Sequence, residues 1–320
     1  MPYQPPAWLP GGHLQTLWPL LGPGPAPAYR RQRWEIPDGD FIDLDWLDGP
    51  AGSPLVVLFH GLEGSSRSHY AQALMAHLGR IGWTGVVPHF RGCSGVPNRL
   101  PRAYHSGDSV EIGWILQRLR EGMEPHRPLF AAGVSLGGNA LLKWLGGGPQ
   151  AGGIVQAAAA VCPPLDLTLS GHALGRGLNR LYTANFLRSL KPKALAKIAR
   201  HPGLADPAAI RWARNLYEFD DAYTAPVHGY LDADDYWRRA SSRPDLRRIR
   251  VPTLLLCARN DPFIPPEALP GAPDLSPAVL FDCPAAGGHV GFPGGPWPGR
   301  QDWLPRRLHA FFAAHLPDKP

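Results

Sequence analysis

The sequence predicts an α/β fold: a mostly parallel, twisted sheet with helices on both faces and a long helical insertion before its last strands. Three observations lead there. Short continuous apolar runs recur along the chain, as strands buried on both faces require, and the first is Leu55 to Phe59. Segments with apolar residues at helical spacing separate those runs, and such alternation argues a parallel sheet. The interval 164–250 then breaks the rhythm, because it is long and mostly helical in pattern. At 320 residues, 44% of them hydrophobic and 18% charged, the chain can bury a large core as a single domain, 1–320.

Residues 1–30 read as an N-terminal arm, with Gly11 to Pro19 followed by a proline-rich linker through Ala28. Arg33 to Ile36 and Phe41 to Leu47 are strands around the turn Pro37-Asp38-Gly39-Asp40. In the second, Phe41, Asp43 and Asp45 alternate with Ile42, Leu44 and Trp46, which predicts a hairpin with one solvated face. After Leu55 to Phe59 come a helix over Tyr70 to Leu78 and a strand over Thr84 to Pro88. A helix with Ile112, Ile115, Leu116 and Leu119 on one face follows, and Ser106 or Asp108 can cap it. The run Pro128 to Val134 leads into Ser135, and a helix over Leu136 to Leu145 leads out. Ile154 to Cys162, Val251 to Ala258 and Ala278 to Phe281 are later strands, and Trp303 to His315 is a closing helix.

Charge and cysteine usage exclude several functions. Arg176, Arg180, Arg188, Lys191, Lys193, Lys197 and Arg200 lie between Leu167 and Ala205, where there is no acid. Those seven exceed the net charge of +6, so the rest of the chain is about neutral and no nucleic-acid partner is expected. The stretch reads as the solvated face of a lid. It would give at most peripheral contact with an anionic lipid surface, through Lys191, Lys193 and Lys197. Cys93, Cys162, Cys257 and Cys283 stand far apart, without zinc-ligand spacing, and read as free thiols. With no apolar run long enough for a leader or a membrane span, a cytoplasmic location is the expectation.

The chemistry centres on Gly133-Val134-Ser135-Leu136-Gly137. A strand that turns sharply into a helix lifts a serine hydroxyl above the sheet edge, and small residues two before and two after it avoid collision. A serine hydroxyl needs a base, an orienting acid and donors for the oxyanion. His289, flanked by Gly287, Gly288 and Gly291 after the last strand, is the best of the thirteen histidines; His60 and His105 are rivals. Asp261 lies just past an apolar strand and before Pro262, with Asp166, Asp282 and the acids Asp220, Asp221, Asp234 and Asp235 as alternatives. One oxyanion donor would be the Leu136 N–H. The second, from the loop His60-Gly61-Leu62-Glu63-Gly64, would be the Leu62 N–H, each worth roughly 3–4 kcal/mol of transition-state stabilisation. The order Ser135, Asp261, His289 is that of hydrolases with this elbow. Arg91 reads as a structural salt bridge, and Cys93 has no partner that would make it a nucleophile.

These residues carry a resemblance over nearly the whole chain. Gly12 to Trp18, His60 to Ser66, Phe90 to Gly95, Tyr104 to Gly107, Gly133 to Asn139 and Asn260 to Pro262 occur in the order of the α/β-hydrolases, within them the YheT-like branch of serine esterases. Phe219-Asp220-Asp221 and His228-Gly229-Tyr230 match in the insertion. The resemblance implies the α/β-hydrolase fold, a lid or cap over 164–250 and Ser135, Asp261 and His289 as charge-relay residues. It also implies a small-molecule carboxylic ester as substrate, acylglycerols and short- or medium-chain acyl esters included, with no metal or organic cofactor. Acyl transfer to an alcohol is the alternative activity, and a non-catalytic binding protein on the same fold is the alternative from another class.

Overall fold

The apolar runs pair into one eight-stranded sheet. The computed structural model describes residues 2–317 apart from 23, 25 and 26, so part of the expected proline-rich linker lies outside the described residues. In chain order come α1 (Gly12–Leu21), β1 (Arg30–Glu35), β2 (Phe41–Leu47), β3 (Leu55–Phe59), α2 (His69–Arg80), β4 (Thr84–Pro88), α3 (Ser109–Glu121), β5 (Leu129–Val134), α4 (Leu136–Gly146) and β6 (Ala157–Val161). Then follow α5 (Leu167–Leu174), α6 (Asn179–Arg200), α7 (Pro207–Trp212), α8 (Leu216–Phe219), α9 (Ala225–His228), α10 (Ala233–Ala240), β7 (Thr253–Leu256), β8 (Val279–Asp282) and α11 (Trp303–Ala313).

The strand order is β1-β2-β4-β3-β5-β6-β7-β8; β2 pairs antiparallel with both β1 and β4, and every other pairing is parallel. Helices α3 and α4 cover one face, where Ile112, Ile115, Leu141 and Leu145 meet Leu55, Val57 and Phe59. Helices α2 and α11 cover the other, where Leu74, Leu78, Leu308 and Phe312 meet Val56, Leu58 and Phe130. Order reverses at β3, whose neighbours are β4 and β5. A crevice therefore opens at the carboxyl ends of the central strands, where ligands bind in open sheets of this kind.

The insertion between β6 and β7 is helical as expected. It carries its own apolar cluster, from Leu187, Ala194 and Ile198 of α6 to Phe219 and Tyr223. Fully buried Asn139 of α4 ties it down, donating to Ser106 O at 2.9 Å and Ala240 O at 2.8 Å and accepting from the Ser242 N–H at 3.1 Å.

The hairpin differs from its expected form. β2 is buried on both faces, and Asp43 and Asp45 lie under the guanidinium groups of Arg33 and Arg31 from β1. Alternation suggested a wet face because acids normally seek water; here each acid has an arginine cover instead. Asp108 likewise occupies the cap position of α3, yet its carboxylate pairs with Arg102 and makes no cap bond.

Burial would raise the Asp45 pKa, but hydrogen bonds from Arg31, His89 and Ser66 hold this carboxyl well below the usual range. Folding depresses it below the unfolded value of about 3.9, so its contribution is complete above that pH and is lost as pH falls through the folded value. Asp45→Asn should therefore lower urea-measured stability by about 2 kcal/mol near neutral pH. That gap should narrow as pH falls below about 3.9, where the unfolded chain takes up the proton first, and close as pH falls through the folded value.

Candidate active site

Ser135 sits between β5 and α4 at φ 52° and ψ −119°, a conformation that costs a non-glycine residue about 1–3 kcal/mol. Neighbouring backbone holds it there: the Ser135 N–H donates to Val161 O at 2.8 Å, and its carbonyl accepts from the Asn139 N–H at 3.0 Å. The flanking glycines are required by contact. A Cβ at Gly133 would lie 2.5 Å from Gly137 O, and one at Gly137 would lie 2.5 Å from both Phe59 O and His60 O.

The structure brings the three candidate residues into line. His289 Nε2 lies 2.9 Å from Ser135 Oγ, and His289 Nδ1 lies 2.8 Å from Asp261 Oδ2. With Nδ1–H donating to the carboxylate, Nε2 is left to accept the serine proton. The other Asp261 oxygen accepts from the Phe263 N–H at 2.8 Å, and the Phe263 ring stacks on His289 at 4.2 Å. Non-glycine residues with left-handed backbone cluster around this line: Glu63, Ser135, Cys162, Val290 and Phe292. All five lie in segments that leave the carboxyl ends of strands.

What the sequence missed is the support of the histidine loop by α1. Thr16 Oγ1 accepts from the His289 N–H at 2.8 Å and donates to Gly12 O at 2.7 Å. Gln15 Oε1 accepts from the Gly287 N–H at 2.9 Å and from Asn260 Nδ2 at 3.0 Å, while Asn260 Oδ1 accepts from the Gly288 N–H at 3.0 Å. The approach is close enough that a Cβ at Gly12 would overlap Asn260 O, and one at Gly291 would overlap Gln15 O. His13, without a role in the sequence reading, stacks on Tyr182 of α6, whose ring meets Phe263 at 4.7 Å. The signal was present in the Gly12 to Trp18 segment, but nothing in one sequence says which loop an arm will grip.

The loop after β3 lies against the elbow, with the Gly61 Cα facing Ser135 so closely that a Cβ there would be 3.2 Å from Ser135 Cβ. Tyr70 of α2 accepts from the Gly61 N–H at 2.8 Å, and Tyr104 accepts from the Glu63 N–H at 2.8 Å, so two phenols fix the loop. Leu62 stands between them and Leu136 opens α4. Among the described residues, neither of their amides donates to a protein acceptor.

The rivals are engaged elsewhere. His60 is fully buried, donates to Gly61 O at 2.8 Å and accepts from the Phe90 N–H at 3.1 Å, and burial lowers its pKa to about 3. His105 is likewise pushed down to about 3 by burial. Asp166 caps α5, and Asp282 pairs with Arg307 at 2.7 Å. Arg91 is held by Asp38 at 2.7 Å, Glu111 at 2.5 Å and Asp40 at 3.3 Å, as a structural salt bridge. Burial raises the Cys93 thiol to about 12. Ligand atoms of Cys162, Asp261 and His289 lie within 4.8 Å of one another. The thiol, however, is pushed well up by burial and accepts from the Val290 N–H, while the other two residues bind each other.

Above Ser135 opens a cavity of about 570 Å³, roofed by α5, α6 and the π-helical turn Asp220–Thr224. Leu174, Phe186, Leu190, Leu216, Phe219 and Tyr223 make its insertion-side wall apolar. Lys193 crosses from α6 to Glu63 of the loop after β3 at 2.8 Å.

A family model described as the alpha/beta hydrolase fold matches residues 54–296. The chain belongs to that family. It is 41% identical to the Escherichia coli (strain K12) protein named "Putative esterase YheT", over 96% of this chain and 92% of that one. It is 29% identical to the Homo sapiens protein named "Phospholipase ABHD3", over 98% of this chain and 78% of that one. Among solved structures the Pyrococcus furiosus esterase Pf2001 superposes with a TM-score of 0.58, over 91% of this chain and 94% of that one, at 16% identity, a likeness of fold. This α/β hydrolase is an enzyme of the esterase and lipase type.

Removing the oxygen that receives the His289 N–H should loosen this loop without unfolding the domain. Thr16→Val is expected to lower kcat for a soluble ester about tenfold with KM little changed, a loss of one hydrogen bond of about 1.4 kcal/mol. Thr16→Ser should restore most of it. Steady-state kinetics of both variants, beside circular dichroism, provide the check.

Proposed function

We propose that this α/β hydrolase is a serine carboxylesterase that works through an acyl-enzyme on Ser135. The observation that carries the reading is the continuous line from Ser135 Oγ to His289 Nε2 at 2.9 Å and from His289 Nδ1 to Asp261 Oδ2 at 2.8 Å, at the floor of an apolar cavity. His289 takes the serine proton as Oγ attacks the ester carbonyl carbon. Asp261 stabilises the resulting imidazolium. The Leu62 and Leu136 N–H groups receive the oxyanion, and their orientation before substrate arrives avoids reorganisation as charge develops. His289 then protonates the leaving alcohol. Water, activated by the same ring, releases the acid and restores Ser135.

The walls support a substrate class. A cavity of about 570 Å³ falls in the range of about 300–1,000 Å³ typical of small-molecule sites, and its apolar side suits a short- or medium-chain acyl group. Residues 164–250 act in this reading as the lid that excludes water, and residues 1–30 as an arm of the same domain. The names of the two relatives, an esterase and a phospholipase, agree with carboxylic esters, acylglycerols among them.

A fluorophosphonate probe should label the wild type and leave Ser135→Ala unlabelled; equal labelling of both would refute the serine assignment. On p-nitrophenyl butyrate and octanoate, Ser135→Ala should lose about 10⁶ in kcat and Asp261→Asn about 10⁴. Chromatography of products made in added ethanol separates hydrolysis, which yields free acid, from transfer, which yields the ethyl ester.

A further inference from the structure

Helix α1 is amphipathic with its faces reversed. Polar Gln15 and Thr16 are buried against the histidine loop, whereas Leu14, Leu17, Leu20 and Leu21 are between 42% and 76% exposed. Leu14, Leu17 and Leu21 recur at helical spacing, so they form one outward stripe. The stacking of His13 on Tyr182 sets the start of α6 beside it, and Leu178 and Leu181 there are 65% and 72% exposed. A shallow depression lined by His13, Arg176 and Leu178 joins the two elements. On the other side of α1, Trp18 packs on Trp8 at 5.1 Å and on Trp297 at 5.0 Å, and Trp297 is itself 68% exposed. Apolar surface of this extent, bordered by amphipathic indoles, marks an interaction face.

Its charge selects the partner. Arg176 precedes α6 and Arg180 and Arg188 lie in its first half; all three are exposed, in a stretch that holds no acid. Glu267 also borders the depression, and the arginines remain in excess. The lysines expected to meet an anionic surface are already engaged. Lys193 pairs with Glu63, Lys191 donates to Arg211 O, and Lys197 is buried and donates to Leu100 O at 2.7 Å. A two-fold-related copy of the chain would bring two such acid-free basic patches together, because the same patch meets itself across such an axis. Phospholipid headgroups complement them.

We propose that the leucine stripe of α1 and the start of α6 dock this protein on an anionic phospholipid bilayer surface. The leucines enter the acyl boundary, the indoles sit at headgroup depth and the arginines contact phosphate. Leu174 and Phe186, which line the cavity, flank Leu178 and Leu181 in sequence, so a docked bilayer stands beside the cavity roof. Docking goes beyond the esterase reading and is measured without it.

Vesicle flotation tests the proposal, using equal parts phosphatidylglycerol and phosphatidylcholine against phosphatidylcholine alone. Wild type and Ser135→Ala should both bind the mixed vesicles, and more weakly at high salt. Leu14→Ser with Leu17→Ser should lower the partition coefficient about tenfold on the mixed vesicles. Arg176→Gln with Arg180→Gln and Arg188→Gln should lower it about a hundredfold on the mixed vesicles and little on the neutral ones. Unchanged circular dichroism and thermal unfolding of both sets of variants verify their fold. Failure of the wild type to float with mixed vesicles, or wild-type binding by both sets of variants, overturns the proposal. A dimer in sedimentation that the leucine substitutions disperse overturns it too, since a second copy would then cover the face.

Discussion

The site depends on the meeting of three backbones with no side chains between them. β5, the first turn of α4 and the loop after β3 converge at Gly133, Gly137 and Gly61, where an added Cβ would strike a carbonyl oxygen or the serine itself. At that point the Ser135 amide donates to Val161 O while its carbonyl begins α4. A strained φ persists where its surroundings over-determine it. The same packing sets the Leu136 N–H, free at the helix N-terminus, beside the loop that carries Leu62. One steric condition thus fixes both the candidate nucleophile and the candidate oxyanion donors.

The base and the acid arrive on longer loops, after β8 and β7, and glycine contacts alone would not hold them. Polar side chains of α1 do so. Gln15 receives hydrogen bonds from both loops, and Thr16 receives the His289 N–H itself. Gly288 and Gly291 are glycine for the reason that applies at the elbow, because backbone from another element occupies the space of a side chain. Cys162 adds a further restraint from β6, its sulfur accepting from the Val290 N–H. Geometry at the histidine therefore draws on a segment more than 270 residues away in sequence.

Patterns that report local chemistry were legible in the sequence. β3 and β4 match their apolar runs residue for residue, since a strand buried on both faces leaves no ambiguity of period. The candidates Ser135, Asp261 and His289 each lie past an apolar run in the sequence, and the structure sets the three within hydrogen-bond reach of one another at one sheet edge. Partner choice was not legible. Asp43 and Asp45 looked solvated because alternation records polarity, and it cannot record that Arg33 and Arg31 cover them from the next strand. Lys197 looked like a surface charge until its burial, which lowers its pKa to about 8, put it beneath Asn98 and Leu100. Gln15 and Thr16 failed for the same reason, as their partners lie at the far end of the chain.

Helix α1 joins these two kinds of legibility. A ten-residue helix at a domain surface ordinarily buries its leucines and exposes its polar residues, since burial of a leucine is favourable by about 1.5–3 kcal/mol. Here the buried face must present two hydrogen-bond acceptors to orphaned loop amides, so leucine is excluded from those positions. That requirement explains the inward Gln15 and Thr16 but leaves the outward face unconstrained, and charged residues there would serve solubility equally well. Among the described residues nothing covers these four leucines, which is a cost in water. Docking on a bilayer would offset that cost, and exposed Arg176, Arg180 and Arg188, before and in the first half of α6, would set which surface comes first.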